Sequence, residues 1–215
     1  MATVKLRRGL ENDIPELAEG EPGLVTDTRK VIVGTGTGNL VIGGSKNECE
    51  FIPIEWAEDA AAPPDASEVV THTNGKLRVR TFAGDSSEGV LVQWEVPDDI
   101  VVASGIFFEV CGVITSATAP DAEGISFKLS GYSIGNDDDI NGTFGTEVES
   151  NLTGISYAQY DRIKTTKSGK VTITDLARGE LANLYLYRDH DDEDDTYVQK
   201  VGVSGIKIHY IKERI

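Results

Sequence analysis

Cysteine, methionine, tryptophan and positive charge are all scarce in this chain of 215 residues, which has two Cys, one Met and two Trp. With only Cys49 and Cys111, far apart and in unlike contexts, neither a disulfide framework nor a cysteine-built zinc site is supported; both are expected as free, buried thiols. The 20 Lys and Arg face 36 Asp and Glu, a formal net charge of −16. Such a surface repels phosphate backbones and anionic lipid, which argues against nucleic acid as a partner. No stretch nears the roughly 18 consecutive apolar residues of a membrane span, and the opening MATVKLRRG lacks a signal-peptide apolar run. The expectation is a soluble protein made in the cytoplasm, without a signal peptide or membrane insertion. Amphipathic helical periodicity is also missing; only ENDIPELAE and Asp175 to Gly179 offer a single turn each.

What is present is strand pattern. Val90, Val92, Trp94 and Val96 share one parity; Ile125, Phe127 and Leu129 alternate with Ser126, Lys128 and Ser130. Leu77 and Val79 alternate with Arg78 and Arg80, and further strands are expected at 105–115, 142–149, 155–163, 169–174, 181–188 and 197–211. The 105–115 run is apolar on both parities, which places it centrally between layers. Near the C-terminus the apolar parity switches from odd (Val201, Val203) to even (Ile206, Ile208, Tyr210) at Ser204-Gly205, the pattern of a β-bulge. About eight strands in about 145 residues suit an all-β fold, an antiparallel jelly-roll sandwich.

Composition divides the chain into residues 1–45, Gly-rich and strand-like; 46–68, rich in Pro, Ala and acid; and 69–215, the sandwich. The middle segment reads as a linker or wrapped arm, since Pro63-Pro64 blocks helix and ladder alike. Its Phe51, Ile52, Ile54 and Trp56 are too apolar for a free tether and are expected to pack on a neighbouring surface. The glycines of VGTGTGNLVIGG are not a phosphate loop: Gly34, Gly36 and Gly38 lack the Gly-x-Gly-x-x-Gly spacing, no Lys-Ser/Thr follows, and NLVIGG continues as strand. They read instead as tight turns between short strands.

VKLRRG at 4–9 followed by LAEGEPGLVTDTRKVIVGTG at 17–36 resembles the N-terminal domain of the phage major tropism determinant family, found in tail-fibre and other virion surface proteins. The shared elements are the Leu-Arg-Arg-Gly strand end, the Leu-Ala-Glu-Gly-Glu-Pro-Gly turn, the Thr-Asp-Thr hairpin and the Gly-bounded strand after it. The segment between Gly9 and Leu17 is shorter than the family's, which puts its small helix in doubt. The resemblance implies an anchoring foot intertwined as a homotrimer, with Leu6, Leu24, Val31, Val33, Leu40 and Ile42 as its apolar contacts. About 45 residues with so few large apolar side chains cannot bury enough surface alone, which agrees with a core shared among copies. Residues 69–215, through LYLYRD, the acidic loop after it and the closing GVSGIKIHYI, resemble the jelly-roll domains of phage decoration proteins, head fibres and tail receptor binders.

Four constellations bear on chemistry. Asp137-x-Asp139-x-Asn141-Gly142 is the first half of a calcium loop, yet Val148 stands where the closing Glu belongs; a Ca²⁺ site of another kind and a solvated acidic hairpin both fit. The run Asp189 to Asp195 holds six carboxylates and one His; such density could bind Ca²⁺, but like charges this close read as a mobile, solvated loop that adds solubility and guards strand edges. Glu95 and Glu109 are the acids on otherwise apolar strands, expected to pair with Arg78, Arg80 or Lys128 rather than to hydrolyse a glycoside. Tyr185 and Tyr187, opposite in parity to Leu184 and Leu186, are either a glycan-stacking pair, the second sheet's core or a trimer interface. His72, His190 and His209 lie in separate segments and compose no triad.

The expected function is therefore non-enzymatic: a virion-surface spike or fibre, homotrimeric, held by tail or baseplate proteins and meeting a host glycan or protein. The alternative is a decoration protein on the major capsid protein at local threefold positions; a third is a calcium-dependent carbohydrate-binding module. No cofactor is expected beyond the candidate Ca²⁺.

Overall fold

A computed structural model describes residues 7–9, 15–26, 30–35 and 37–214. The chain is all-β and divides into two compact units: residues 1–48 with 99–101 and 211–215, and residues 49–98 with 102–210. Among the described residues no helix is long and apolar enough to cross a membrane.

In the first unit β1 (Arg7–Gly9) runs parallel to β2 (Pro22–Val25), and β2 is antiparallel to β3 (Lys30–Gly34), which pairs with the start of β4 (Asn39–Pro53). Among its described residues Leu17, Val25 and Ile32 are buried together. Gly34 is forced here by packing: a Cβ would lie 2.1 Å from the Ala18 carbonyl oxygen. Of the foot residues named from the sequence, Leu24, Val31 and Val33 occupy the other parity. Leu24 sits directly opposite Val31, and Val33 opposite Leu40. Leu24 and Val33 are half-buried, while Val31 is 39% exposed. Leu6 lies outside the described residues, and Leu40 and Ile42 are placed in β4 by their backbone only.

The second unit is a sandwich of two sheets. One runs β12 (Arg162–Lys164), β9 (Ile106–Ile114), β14 (Val201–Arg214), β7 (Gly75–Phe82) and β6 (Glu68–His72). The other runs β11 (Val148–Ile155), β10 (Glu123–Ile134), β13 (Leu181–Arg188), β8 (Gly89–Glu95) and β5 (Glu58–Asp59). Counting from β7, the first sheet takes strands one, eight, three and six and the second takes two, seven, four and five, the jelly-roll order. The alternation read from sequence sets the inner faces: Val90, Val92, Trp94, Ile125, Phe127, Leu129, Leu184 and Leu186 are buried against Phe108, Val110, Val203, Ile206 and Ile208. The register between β14 and β9 slips between Val203 and Gly205, the expected bulge, and the Ser204 hydroxyl donates to the Cys111 carbonyl at 3.0 Å.

The bulge has a structural consequence. Val201–Val203 pair with β7, and beyond them that edge of β14 is taken by the end of β4, so the Gly75–Val79 half of β7 pairs with β6 alone and leaves the sheet as a hairpin. Several other expectations shift. The third-region strands after β10 begin later than expected, at Val148 and Arg162, and 169–174 contributes only isolated bridges at Val171 and Thr174. No helical turn forms at 175–179, and both its ends, Asp175 and Gly179, take left-handed backbone (φ 55° and 69°). Of the arm's apolar residues, Ile52 and Ile54 are buried, but Phe51 and Trp56 are 46% and 72% exposed. Cys111 is buried as expected; Cys49 is exposed.

The acidic run is not the free loop its charge density suggested. Asp195 is fully buried and takes a bidentate bond from Arg188 (Nε to Oδ2 2.8 Å, Nη2 to Oδ1 2.7 Å), while its Oδ2 also accepts the Ser126 amide. Arg188 continues the inward parity of Leu184 and Leu186, so its guanidinium had to find partners inside. Its remaining N–H groups reach the Gln199 and Tyr197 carbonyls. Lys128 holds Asp189 and Asp192, and Asn151 donates to Asp194 at 2.6 Å.

Removing one partner of a buried pair leaves an uncompensated charge, so Arg188→Met is expected to lower unfolding free energy by about 3–5 kcal/mol, and Arg188→Met/Asp195→Leu by clearly less than the two singles summed. Urea denaturation of the three variants measures this; additivity would show that the two groups are not coupled. Ile206→Asp places a charge where nothing is exposed, at a cost on the order of the whole 5–15 kcal/mol stability. Thermal melting of this variant is expected to show no cooperative transition.

Candidate functional site: an aromatic groove on the second sheet

Outward parity on the second sheet aligns Leu91, Tyr185 and Ser130 across three neighbouring strands, since Tyr185 pairs with both. Tyr187 lies two residues on, opposite Lys128. The loop from Gly135 to Glu147 folds back over this face: the Gly145 amide donates to the Gly131 carbonyl, and Gly142 lies flat on the Tyr132 ring, where a Cβ would come within 2.1 Å. That contact explains the glycine that the sequence offered as a calcium-loop turn.

The result is a row of four rings. Tyr132 meets Phe144 edge-on at 5.0 Å between centroids, Phe144 meets Tyr185 at 5.7 Å, and Tyr185 stacks with Tyr187 at 5.2 Å and 22°. Beside it opens a groove of about 660 Å³ lined by Ala60, Leu91, Ser130, Phe144, Glu147 and Tyr185. The Tyr187 hydroxyl donates to Glu147 at 2.8 Å, and the Tyr132 hydroxyl accepts from Asn183 while donating to the Ile140 carbonyl. Burial, then the charge of Glu147, raises the Tyr185 pKa; burial, then the Glu147 hydrogen bond, raises that of Tyr187. An apolar ring row edged by a carboxylate, a hydroxyl and an amide suits a ligand with both C–H faces and hydroxyls.

Tyr185 and Tyr187 were legible from strand parity. Tyr132 and Phe144 were not, because Tyr132 follows Gly131, just past the alternation that ends at Ser130, and Phe144 sits in a loop; the phase Ser126, Lys128, Ser130, Tyr132 carried the signal for the first. The candidate Ca²⁺ ligands Asp137, Asp139 and Asn141 lie in that same exposed loop, where Asp139 accepts the Asn141 amide at 3.0 Å. The carboxylates that do converge among the described residues are Glu149, Asp192 and Asp194, within 4.8 Å of one another. Lys128 lies 3.0 Å from Asp192 and already supplies a cation there. Burial works against the charge on Asp192, but the Asp194 amide and Lys128 outweigh it and hold its pKa low.

The two strand-borne acids do not share a site. Glu95 is exposed on the second sheet; Glu109 is on the first, bonded to Lys164 at 2.6 Å and His209 at 2.9 Å. Desolvation of Glu109 is outweighed by those two bonds, so its pKa is lowered. None of the expected partners reaches either: Arg78 pairs with Glu55, Arg80 with Asp59 and Lys128 with the acidic run.

Residues 4–38 match the model of the major tropism determinant N-terminal domain. No curated protein matches the chain. Among solved structures, the chain is similar to the family 11 carbohydrate-binding module of the cellulosomal cellulase Lic26A-Cel5E of Clostridium thermocellum, with 15% identity over 77% of this chain and 86% of that one and a TM-score of 0.34.

Raised phenol pKa values mean that the neutral tyrosines stabilise the fold below pH of about 10 and that this contribution is lost as pH rises through their folded values. In an ultraviolet titration, Glu147→Gln is expected to move the latest-ionising phenol to lower pH, as charge beside Tyr187 is removed. An unchanged curve would show that Glu147 does not govern it.

Proposed function

We propose that this protein is a bacteriophage virion-surface protein, non-enzymatic and homotrimeric, anchored by its N-terminal unit and presenting the jelly roll for host attachment. The match of residues 4–38 to the tropism determinant N-terminal domain carries this reading. Two structural features support it. Among the described residues of the first unit Leu17, Val25 and Ile32 are buried together, and Leu24, Val31 and Val33 lie on the opposite parity, half-buried or exposed, where further copies can contact them. The aromatic groove on the second sheet has the ring row and polar edge of a glycan contact surface, with Tyr185 at its centre. Attachment through the groove is favoured over capsid decoration because cementing a shell gives no use for it.

Deletion of residues 1–45 is expected to abolish both trimer formation, read by light scattering, and incorporation into virions, read by immunoblot of purified particles. Incorporation of the truncated chain would refute the anchoring role. Electron microscopy of virions bearing a C-terminal tag separates the tail tip from capsid threefold positions.

A further inference from the structure

The hairpin of β6 and β7, having left the first sheet at the bulge, leans over that sheet's outer face and encloses a second cavity of about 620 Å³. Its floor is apolar, with Cys111 and Val113 from β9, and Leu77 faces it from the hairpin. The hairpin tip is tied down by His72, stacked on Tyr160 at 4.6 Å and 27°. Thr73 and Tyr160, which shape this rim, both hold positive φ (41° and 72°), a backbone region that a β-branched or aromatic residue seldom occupies and that marks a constrained surface.

The charge lining this cavity is opposite to that of the chain. Lys76, Arg162 and Lys207 all border it, and no aspartate or glutamate does among the described residues. None of the three makes an ion pair with a described residue, whereas Arg78, Arg80, Lys128, Lys164, Arg188 and Lys200 are each held by a carboxylate. The nearest outward acid of β9, Glu109, is already engaged by Lys164 and His209. In a protein with nearly twice as many acids as bases, three uncommitted cations around one apolar cleft form a local anion trap.

We propose that this cavity binds an anionic saccharide unit. The apolar floor and the His72–Tyr160 pair take the C–H face of a sugar ring, Thr73, Asn74 and Ser204 offer hydrogen bonds to its hydroxyls, and the three cations hold its acid group. The volume lies within the roughly 300–1,000 Å³ of small-molecule sites. This site is separate from the aromatic groove, which carries no lysine or arginine in its lining and suits a neutral glycan.

The test is calorimetric titration of the full-length protein with a glucuronate-containing tetrasaccharide, its carboxyl-reduced counterpart and a phosphate-bearing sugar, glucose 6-phosphate. Binding of either acid with loss on reduction of the carboxyl, weakening with salt, and a fall of about tenfold or more in Arg162→Gln and in Lys76→Gln/Lys207→Gln, are expected. The two acids tell a carboxylate-bearing ligand from a phosphate-bearing one. These cations are at the surface, so the variants should melt as the parent does, and Tyr185→Ala should leave anion binding unchanged. Absence of binding by both acids, equal binding of the reduced tetrasaccharide, or full retention in the charge variants would overturn the proposal. None of those outcomes bears on virion incorporation, which tests the anchoring reading by itself.

Discussion

The buried pairing of Arg188 with Asp195 is the constraint around which the sandwich closes. Arg188 ends β13 in the second sheet, and Asp195 accepts the Ser126 amide of β10 in the same sheet. The guanidinium also reaches the carbonyls of Tyr197 and Gln199, which lead into β14 of the first sheet. Two charges in a dry interior gain little net stability over an apolar pair of the same shape. What they impose is position, because any other placement of the 189–199 connection would strand a buried charge. The acidic run is thereby converted from a solvated tail into an ordered strap, with Lys128 and Asn151 holding its carboxylates.

From that closure come two outer faces with different chemistry. On the second sheet, outward parity presents tyrosines, and a loop packs onto Tyr132 through Gly142, where no side chain fits. On the first sheet, the pairing of β7 with β14 stops at Val203, and the β6–β7 hairpin beyond it borders a cleft lined by cations. In the first unit the described residues bury Leu17, Val25 and Ile32 together and carry Leu24, Val31 and Val33 on the opposite parity.

Period-2 alternation determined the fold class, the inner faces and the bulge, because a strand has only two sides and a buried one must be apolar along its length. Tyr185 and Tyr187 were readable as an outward pair for the same reason, as was the N-terminal family resemblance from its turns and glycines. Only the tertiary structure decided what those residues meet. Arg188 looked like a strand end and became a core cation; the acids of the 189–195 run looked free and became ligands of Lys128, Asn151 and Arg188. Phe144 reaches Tyr132 only because the loop after β10 folds back, and Lys76, Arg162 and Lys207 come from segments far apart in the chain; no local pattern records such meetings. Parity is a property of one strand, whereas a groove is a property of how strands and loops are ordered around it.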